Sequence, residues 1–163
     1  MLVGCAPCQP FSSHAFKLRK DASDARWNLL DHFIRGIKVV KPHIVSMENV
    51  RGVTKTDVFK NFVSELKDLG YYVDWKVVYA PTYGVPQSRS RLILLASRLG
   101  EIEIPKETHV KDSYRTVGDV ISELPKIEAG EISEDDQLHQ AKKLDPINRK
   151  RIIQSKPGGS WRD

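Results

Sequence analysis

Four short apolar runs, spaced by two amphipathic stretches, constrain the fold of this chain more than any other feature. LVG at 2–4, HIVSMENV at 43–50, YYVDWKVVY at 71–79 and RLILLAS at 91–97 are each bounded by polar or turn-forming residues. Runs of that length and setting suit strands. Between the first two, from Trp27 to Val40, residues Leu30, Phe33, Ile34 and Ile37 fall at helical spacing, and Pro42 ends the helix. Between the second and third, TDVFKNFVSELKDLG predicts a helix whose apolar face is Val58, Phe59, Phe62, Val63, Leu66 and Leu69. Thr56 can cap its start, and Gly70 stands where a left-handed terminating residue belongs. The third strand alternates, with Val73, Trp75, Val77 and Tyr79 on one side. APTYGVPQ, stiffened by Pro81 and Pro86, is a loop. The order strand, helix, strand, helix, strand, strand predicts an α/β fold, a doubly wound sheet entered partway through.

Composition narrows the function classes. The chain has 163 residues and 40% hydrophobic content, enough for a core. No run of apolar residues reaches membrane-spanning length, and no export signal is visible at the N-terminus. Two cysteines without an export signal point to a reducing, cytoplasmic compartment. The net charge of +5 is uneven: residues 101–136 carry eleven acids and four bases, residues 141–163 seven bases and two acids. A basic end suggests a polyanion partner, and a solvated surface is the plainer alternative. After Ser97 the texture changes. TVGDVISELP predicts one short helix stopped by Pro125, with Val117, Val120, Ile121 and Leu124 at helical spacing. The change in texture divides the chain into an α/β part at 1–98 and a more polar remainder at 99–163.

Ligands of such sheets gather at the carboxyl ends of strands, and three polar clusters stand near strand ends. PCQPFS follows the first strand, ENV closes the second, and QSRSR enters the last. A thiol at Cys8, preceded by Pro7, can sit near backbone N–H donors that favour the thiolate, a strong nucleophile. Cys5, beside the strand, is expected to face the core as an inert cysteine. The C-x-x-C spacing of CAPC also fits a redox dithiol, while a zinc site lacks enough ligands. Glu48 ends a mostly apolar strand, where desolvation favours the protonated form and suits it to proton donation. The alternative is a carboxylate held by helix-end N–H groups. Arg89 and Arg91, two apart, share one face of a strand and can hold a carboxylate, carbonyl or phosphate with paired donors. A surface ion pair is the alternative.

Together PCQPFS, ENV, TYGVPQ and QSRSR resemble the DNA (cytosine-5) methyltransferases, of the bacterial modification methylase type. The likeness extends through DARWNLLDHF, KPHIVSMENVRG and PGGSWRD, nearly the whole chain. The resemblance implies a Rossmann-like class I methyltransferase fold, here its second half. It implies a restriction-modification enzyme that methylates C5 of cytosine in double-stranded DNA. In that chemistry Cys8 attacks C6 of a base flipped out of the duplex. Glu48 protonates or hydrogen-bonds N3, Arg91 binds O2 and orients Glu48, and Arg89 supports the same network. S-adenosylmethionine is the implied cofactor, with Pro7 and Leu29 matching positions that line it. Gln9, Ser12 and Arg26 belong to a loop that folds over the DNA. The family's glycine-rich F-x-G-x-G segment and the acidic residues after it are absent, so the cofactor site is expected to be incomplete and the fragment alone inactive. A complementary chain would complete a split enzyme. Tyr79-Ala80 stands where many members have Asn-Ala. The same core in a tRNA cytosine methyltransferase is the nearest alternative reading. A thiol–disulfide protein is a further one, which would leave ENV and QSRSR unexplained, and a catalytically silent DNA-binding module is another. Lys142, Lys143, Arg149, Lys150 and Arg151 either contact phosphates or belong to a linker.

Overall fold

The computed structural model describes residues 1–5, 29–156 and 158–159. They form two compact units, 1–120 and 121–163. The first contains β1 (Leu2–Gly4), α1 (Leu29–Val40), β2 (Ile44–Val50), α2 (Asp57–Asp68), β3 (Tyr72–Tyr79) and β4 (Ser90–Ser97). The strands make one sheet in the order β1-β2-β4-β3. β1 runs parallel to β2, whereas β4 is antiparallel to both β2 and β3. The strand succession read from the sequence is the one observed. The insertion of β4 between β2 and β3 is not contained in that succession.

Two kinds of connection produce this order. β1 and β2, and likewise β2 and β3, point the same way and are joined through α1 and α2, as parallel strands require. β3 and β4 are joined by residues 80–89, a connection short enough for an antiparallel pair. The Ala80 N–H donates to the Arg89 carbonyl at 2.8 Å, closing that loop at its neck. The last strand of the sequence thereby folds back into the interior of the sheet, and its entry lies beside the exit of β2: Val50 pairs with Arg91 and Glu48 with Ile93.

Alternation gives the sheet two unlike faces. Val45 and Met47 from β2 and Leu92, Leu94 and Ala96 from β4 are fully buried. They pack against Leu30, Ile34 and Ile37 of α1 and Phe59, Phe62 and Leu66 of α2. Trp75 of β3 meets the Phe59 ring edge-on at 5.1 Å, on the side where alternation places it. Thr56 caps α2 by accepting the Phe59 N–H, and Gly70 ends it with a positive φ of 83°. The Tyr71 N–H returns to the Leu66 carbonyl, and the Tyr71 hydroxyl donates to the Pro42 carbonyl at 2.6 Å, tying the end of α2 to the start of β2. On the opposite face, Asp74 of β3 accepts the Ile104 N–H at 2.7 Å, drawing the segment after β4 over that edge.

α3 (Val117–Ile121) is shorter than its sequence pattern suggests, and Val117, Val120, Ile121 and Leu124 are all exposed. The apolar spacing is present, but no layer covers it among the described residues. Thr116 and Asp119 still form a reciprocal cap at its start, each side chain accepting the other's backbone N–H. In the second unit, Ile132 and Gln140 form an antiparallel bridge. α4 (Pro146–Gln154) begins at Asp145, which accepts the Ile147 and Asn148 N–H groups. This helix has no amphipathic spacing to mark it in the sequence, and its signal is Asp145-Pro146, a helix start.

Candidate active site

The strand exits of β1 and β2 and the entry of β4 meet at one end of the sheet. β1 and β2 are parallel with Gly4 beside Met47, so their next residues, Cys5 and Glu48, stand side by side. β4 is antiparallel, so its first residues, not its last, lie at this end. That reversal is why QSRSR, which enters a strand, joins ENV, which leaves one. On both strands the odd–even alternation places Glu48 and Arg91 on the face away from α1 and α2. Their neighbours Met47, Asn49 and Leu92 point into the core.

Glu48 is the hub. Arg91 Nε lies 3.0 Å from Glu48 Oε1, and Arg89 Nη2 lies 3.9 Å from the same oxygen. The Arg91 side chain is 26% exposed and that of Arg89 46%, which makes Arg91 the fixed partner and Arg89 the looser one. Arg91 Nη1 also donates to the Ser90 carbonyl at 2.8 Å, which orients the guanidinium. The second carboxylate oxygen, Oε2, accepts from the Cys5 thiol at 3.2 Å. The expectation that Cys5 faces the core is therefore corrected. It is exposed, because alternation from Leu2 and Gly4, whose partners lie on the core side, turns the next residue to the Glu48 face. The Glu48 side chain is 38% exposed, so the desolvation expected from its apolar neighbours is incomplete: those neighbours point the other way.

Two further residues, present in the sequence motifs but given no role in the site there, shape the cluster. Asn49 is 2% exposed, and its Oδ1 accepts the Val50 N–H at 2.8 Å at the exit of β2. The Tyr79 hydroxyl is 3.0 Å from Ser88 Oγ, a bond across the loop that delivers Arg89. A tyrosine at the position where an asparagine was noted as common thus braces the loop by its side chain. Leu29, assigned to the cofactor, opens α1 and is half-buried. Pro7, Cys8, Gln9, Ser12 and Arg26 lie outside the described residues. In the second unit, the exposed Arg149 of α4 pairs with Glu128 at 3.9 Å. Among the described residues no group of three or more metal-ligating side chains converges, and no helix is long and apolar enough to cross a membrane.

A carboxylate gripped by a strand-borne guanidinium, with a thiol-bearing strand end alongside, gathers a proton-exchanging group and N–H donors at one place. Comparison with known proteins identifies the setting. The model of the C-5 cytosine-specific DNA methylase family matches residues 1–162. The chain belongs to that family. The Type II methylase M.HgiDII of Herpetosiphon aurantiacus is 45% identical over 166 aligned residues, covering 100% of this chain and 46% of that protein. The Type II methyltransferase M1.HphI of Haemophilus parahaemolyticus is 38% identical, covering 82% of this chain and 36% of its own length. The chain thus spans less than half the length of these relatives. Among solved structures, a protein described as a DNA modification methyltransferase encoded within an E. coli prophage aligns with a TM-score of 0.56 and 26% identity, over 82% of this chain and 37% of that one. The Entamoeba histolytica methyltransferase EhMeth aligns at 0.51 and 25%, over 83% and 47%. The fold expected from the motifs, a Rossmann-like methyltransferase sheet, is the family's.

Proposed function

We propose that the protein containing this chain transfers a methyl group to C5 of cytosine in duplex DNA, through a covalent bond between Cys8 and C6 of a flipped-out base, as part of a type II restriction-modification system. The observation that carries the reading is the Arg91–Glu48 pair at the sheet end where β1 leads toward Cys8. Three residues of chain span at most about 11 Å, so connectivity alone keeps the Cys8 Cα within that reach of Cys5, and Cys5 touches Glu48.

The roles follow from what cytosine lacks. C5 is too weak a nucleophile to take a methyl group unaided. Addition of the Cys8 thiolate to C6 breaks the C5–C6 double bond and moves its electron pair toward C5, N3 and O2. Glu48 supplies a proton or hydrogen bond at N3, where charge would otherwise accumulate. Arg91, already fixed by Glu48 and the Ser90 carbonyl, has remaining N–H groups for the O2 carbonyl. Arg89 adds positive potential beside the same oxygen. S-adenosylmethionine, when bound, supplies the methyl group to C5. Loss of the C5 proton and expulsion of the Cys8 thiolate then restore the aromatic ring. Flipping the base costs a few kcal/mol, roughly, in lost stacking and pairing. Gln9, Ser12 and Arg26 are assigned to holding the DNA around the vacated position. Pro7 and Leu29 are assigned to the cofactor's edge. An enzyme acting on chromosomal DNA works in the bacterial cytoplasm.

The test uses the full-length enzyme with labelled methyl donor and two acceptors, duplex DNA and tRNA. The expected result is transfer to cytosine C5 of DNA, abolished by Cys8→Ser. Preferential labelling of tRNA, or full activity of Cys8→Ser, would overturn the reading.

A further inference from the structure

Glu48 is held from both sides of β2. Its Oε1 is taken by Arg91 of β4 at 3.0 Å and by Arg89, just before that strand, at 3.9 Å. Its Oε2 receives the thiol of Cys5, at 3.2 Å, from the end of β1. The last torsion of a glutamate is broad and soft. A carboxylate anchored at one oxygen can therefore still swing about that contact, and a second donor on the other oxygen fixes its plane. We infer that Cys5 is a positioning residue for the methyl-transfer reaction: its thiol sets the plane of the Glu48 carboxylate that meets N3 of the base. This inference rests on the role proposed for Glu48.

The residue type fits the task. A thiol is a weak donor, so it orients Oε2 without competing strongly against a ring nitrogen for the same oxygen. The register makes the contact a consequence of the sheet itself, since Gly4 beside Met47 sets Cys5 beside Glu48. Cys5 is exposed, so replacing its side chain removes no core packing. The charged group that the thiol touches is Glu48, whose other oxygen is held by Arg91 and Arg89, and all three belong to the proposed network. The nucleophile itself is a separate residue, three positions further along the chain.

The experiment follows covalent trapping of the full-length enzyme on duplex DNA carrying 5-fluorocytosine at the target, with methyl donor present. Cys5→Ala is expected to slow adduct formation at saturating DNA about tenfold, the effect of one lost hydrogen bond to a charged group, with DNA affinity unchanged. Cys5→Ser, which keeps a donor, is expected to recover most of the rate. In a Glu48→Gln background, Cys5→Ala is expected to add little further slowing, because both changes act through one carboxylate. Cys5→Ala trapping at the wild-type rate, Cys5→Ser as slow as Cys5→Ala, or an undiminished tenfold effect in Glu48→Gln would each overturn the inference while leaving the methyl-transfer reading intact. If the wild-type enzyme forms no adduct at all, that reading falls and this inference falls with it.

Discussion

Gly4→Ala tests whether the end of β1 is seated as tightly as the structure has it. A Cβ on Gly4 would lie 2.4 Å from Cζ of Phe33, 2.5 Å from Cε2 and 2.9 Å from Cε1. Carbon atoms rest about 3.5–4.0 Å apart, so the ring would have to retreat by more than about 1 Å. One face of the ring is already taken up by Phe62, stacked at 5.8 Å between centroids, and Phe62 is 2% exposed in the core. Overpacking of this kind costs about 1–3 kcal/mol. With a urea slope of about 2 kcal/mol per molar, the unfolding midpoint should fall by roughly 0.5–1.5 M. The assay is urea unfolding of the full-length protein followed by circular dichroism, on wild type, Gly4→Ala, Phe33→Leu and the double variant. The ring is the obstacle, so Phe33→Leu should suppress most of the Gly4→Ala cost, a coupling of about 1 kcal/mol or more. The displaced strand end carries Cys5, so Gly4→Ala should also slow methyl transfer. A Gly4→Ala protein as stable as wild type, or one equally destabilised with and without the Phe33 ring, would refute the reasoning.

Other perturbations test other layers. Leu94→Ala, at a fully buried position on interior strand β4, should cost about 2–5 kcal/mol and be read as a lower melting temperature; a loss under 1 kcal/mol, roughly, would mean that β4 is not interior. Thr56→Ala removes the acceptor of the Phe59 N–H and should cost about 1 kcal/mol, with Thr56→Ser recovering most of it in the same melts. The Thr116 backbone N–H, followed by its hydroxyl, holds the Asp119 carboxyl below the usual carboxylate range. A folded value depressed below the unfolded one, about 3.9, contributes stability that is present above that pH and lost as pH falls through the folded value. Hydrogen exchange at the Thr116 amide should therefore lose protection as pH falls below about 4; protection at neutral pH that is unchanged in Asp119→Ala would contradict the cap.

How much of this was legible in the sequence depends on whether the governing interaction is local. The helix over Asp57–Asp68 was readable from Thr56 to Gly70, because caps and apolar spacing act over a few residues. The side of β3 that carries Val73, Trp75 and Val77 was readable from simple alternation. Strand order was not: nothing within RLILLAS says that it pairs with β2 on one side and β3 on the other. The grouping of Glu48 with Arg89 and Arg91 could be named from motifs, but its physical cause, an antiparallel strand whose entry lies beside a parallel strand's exit, is a property of the sheet. Cys5 shows the same limit. Its apolar surroundings in LVG pointed to the core, and only the register of β1 on β2 turns it toward Glu48. Exposed Val117 and Val120 show the converse, since an apolar stripe at helical spacing does not guarantee a layer to bury it.

In the proposed reaction the sulfur of Cys8 bonds to the target base beside the Glu48–Arg91 pair. Mass spectrometry of the peptide cross-linked to 5-fluorocytosine duplex DNA tests it most directly. One modified residue is expected, Cys8, with the cross-link sharply reduced in Arg91→Ala and Glu48→Gln. A cross-link on Cys5, or a yield indifferent to both substitutions, would contradict it.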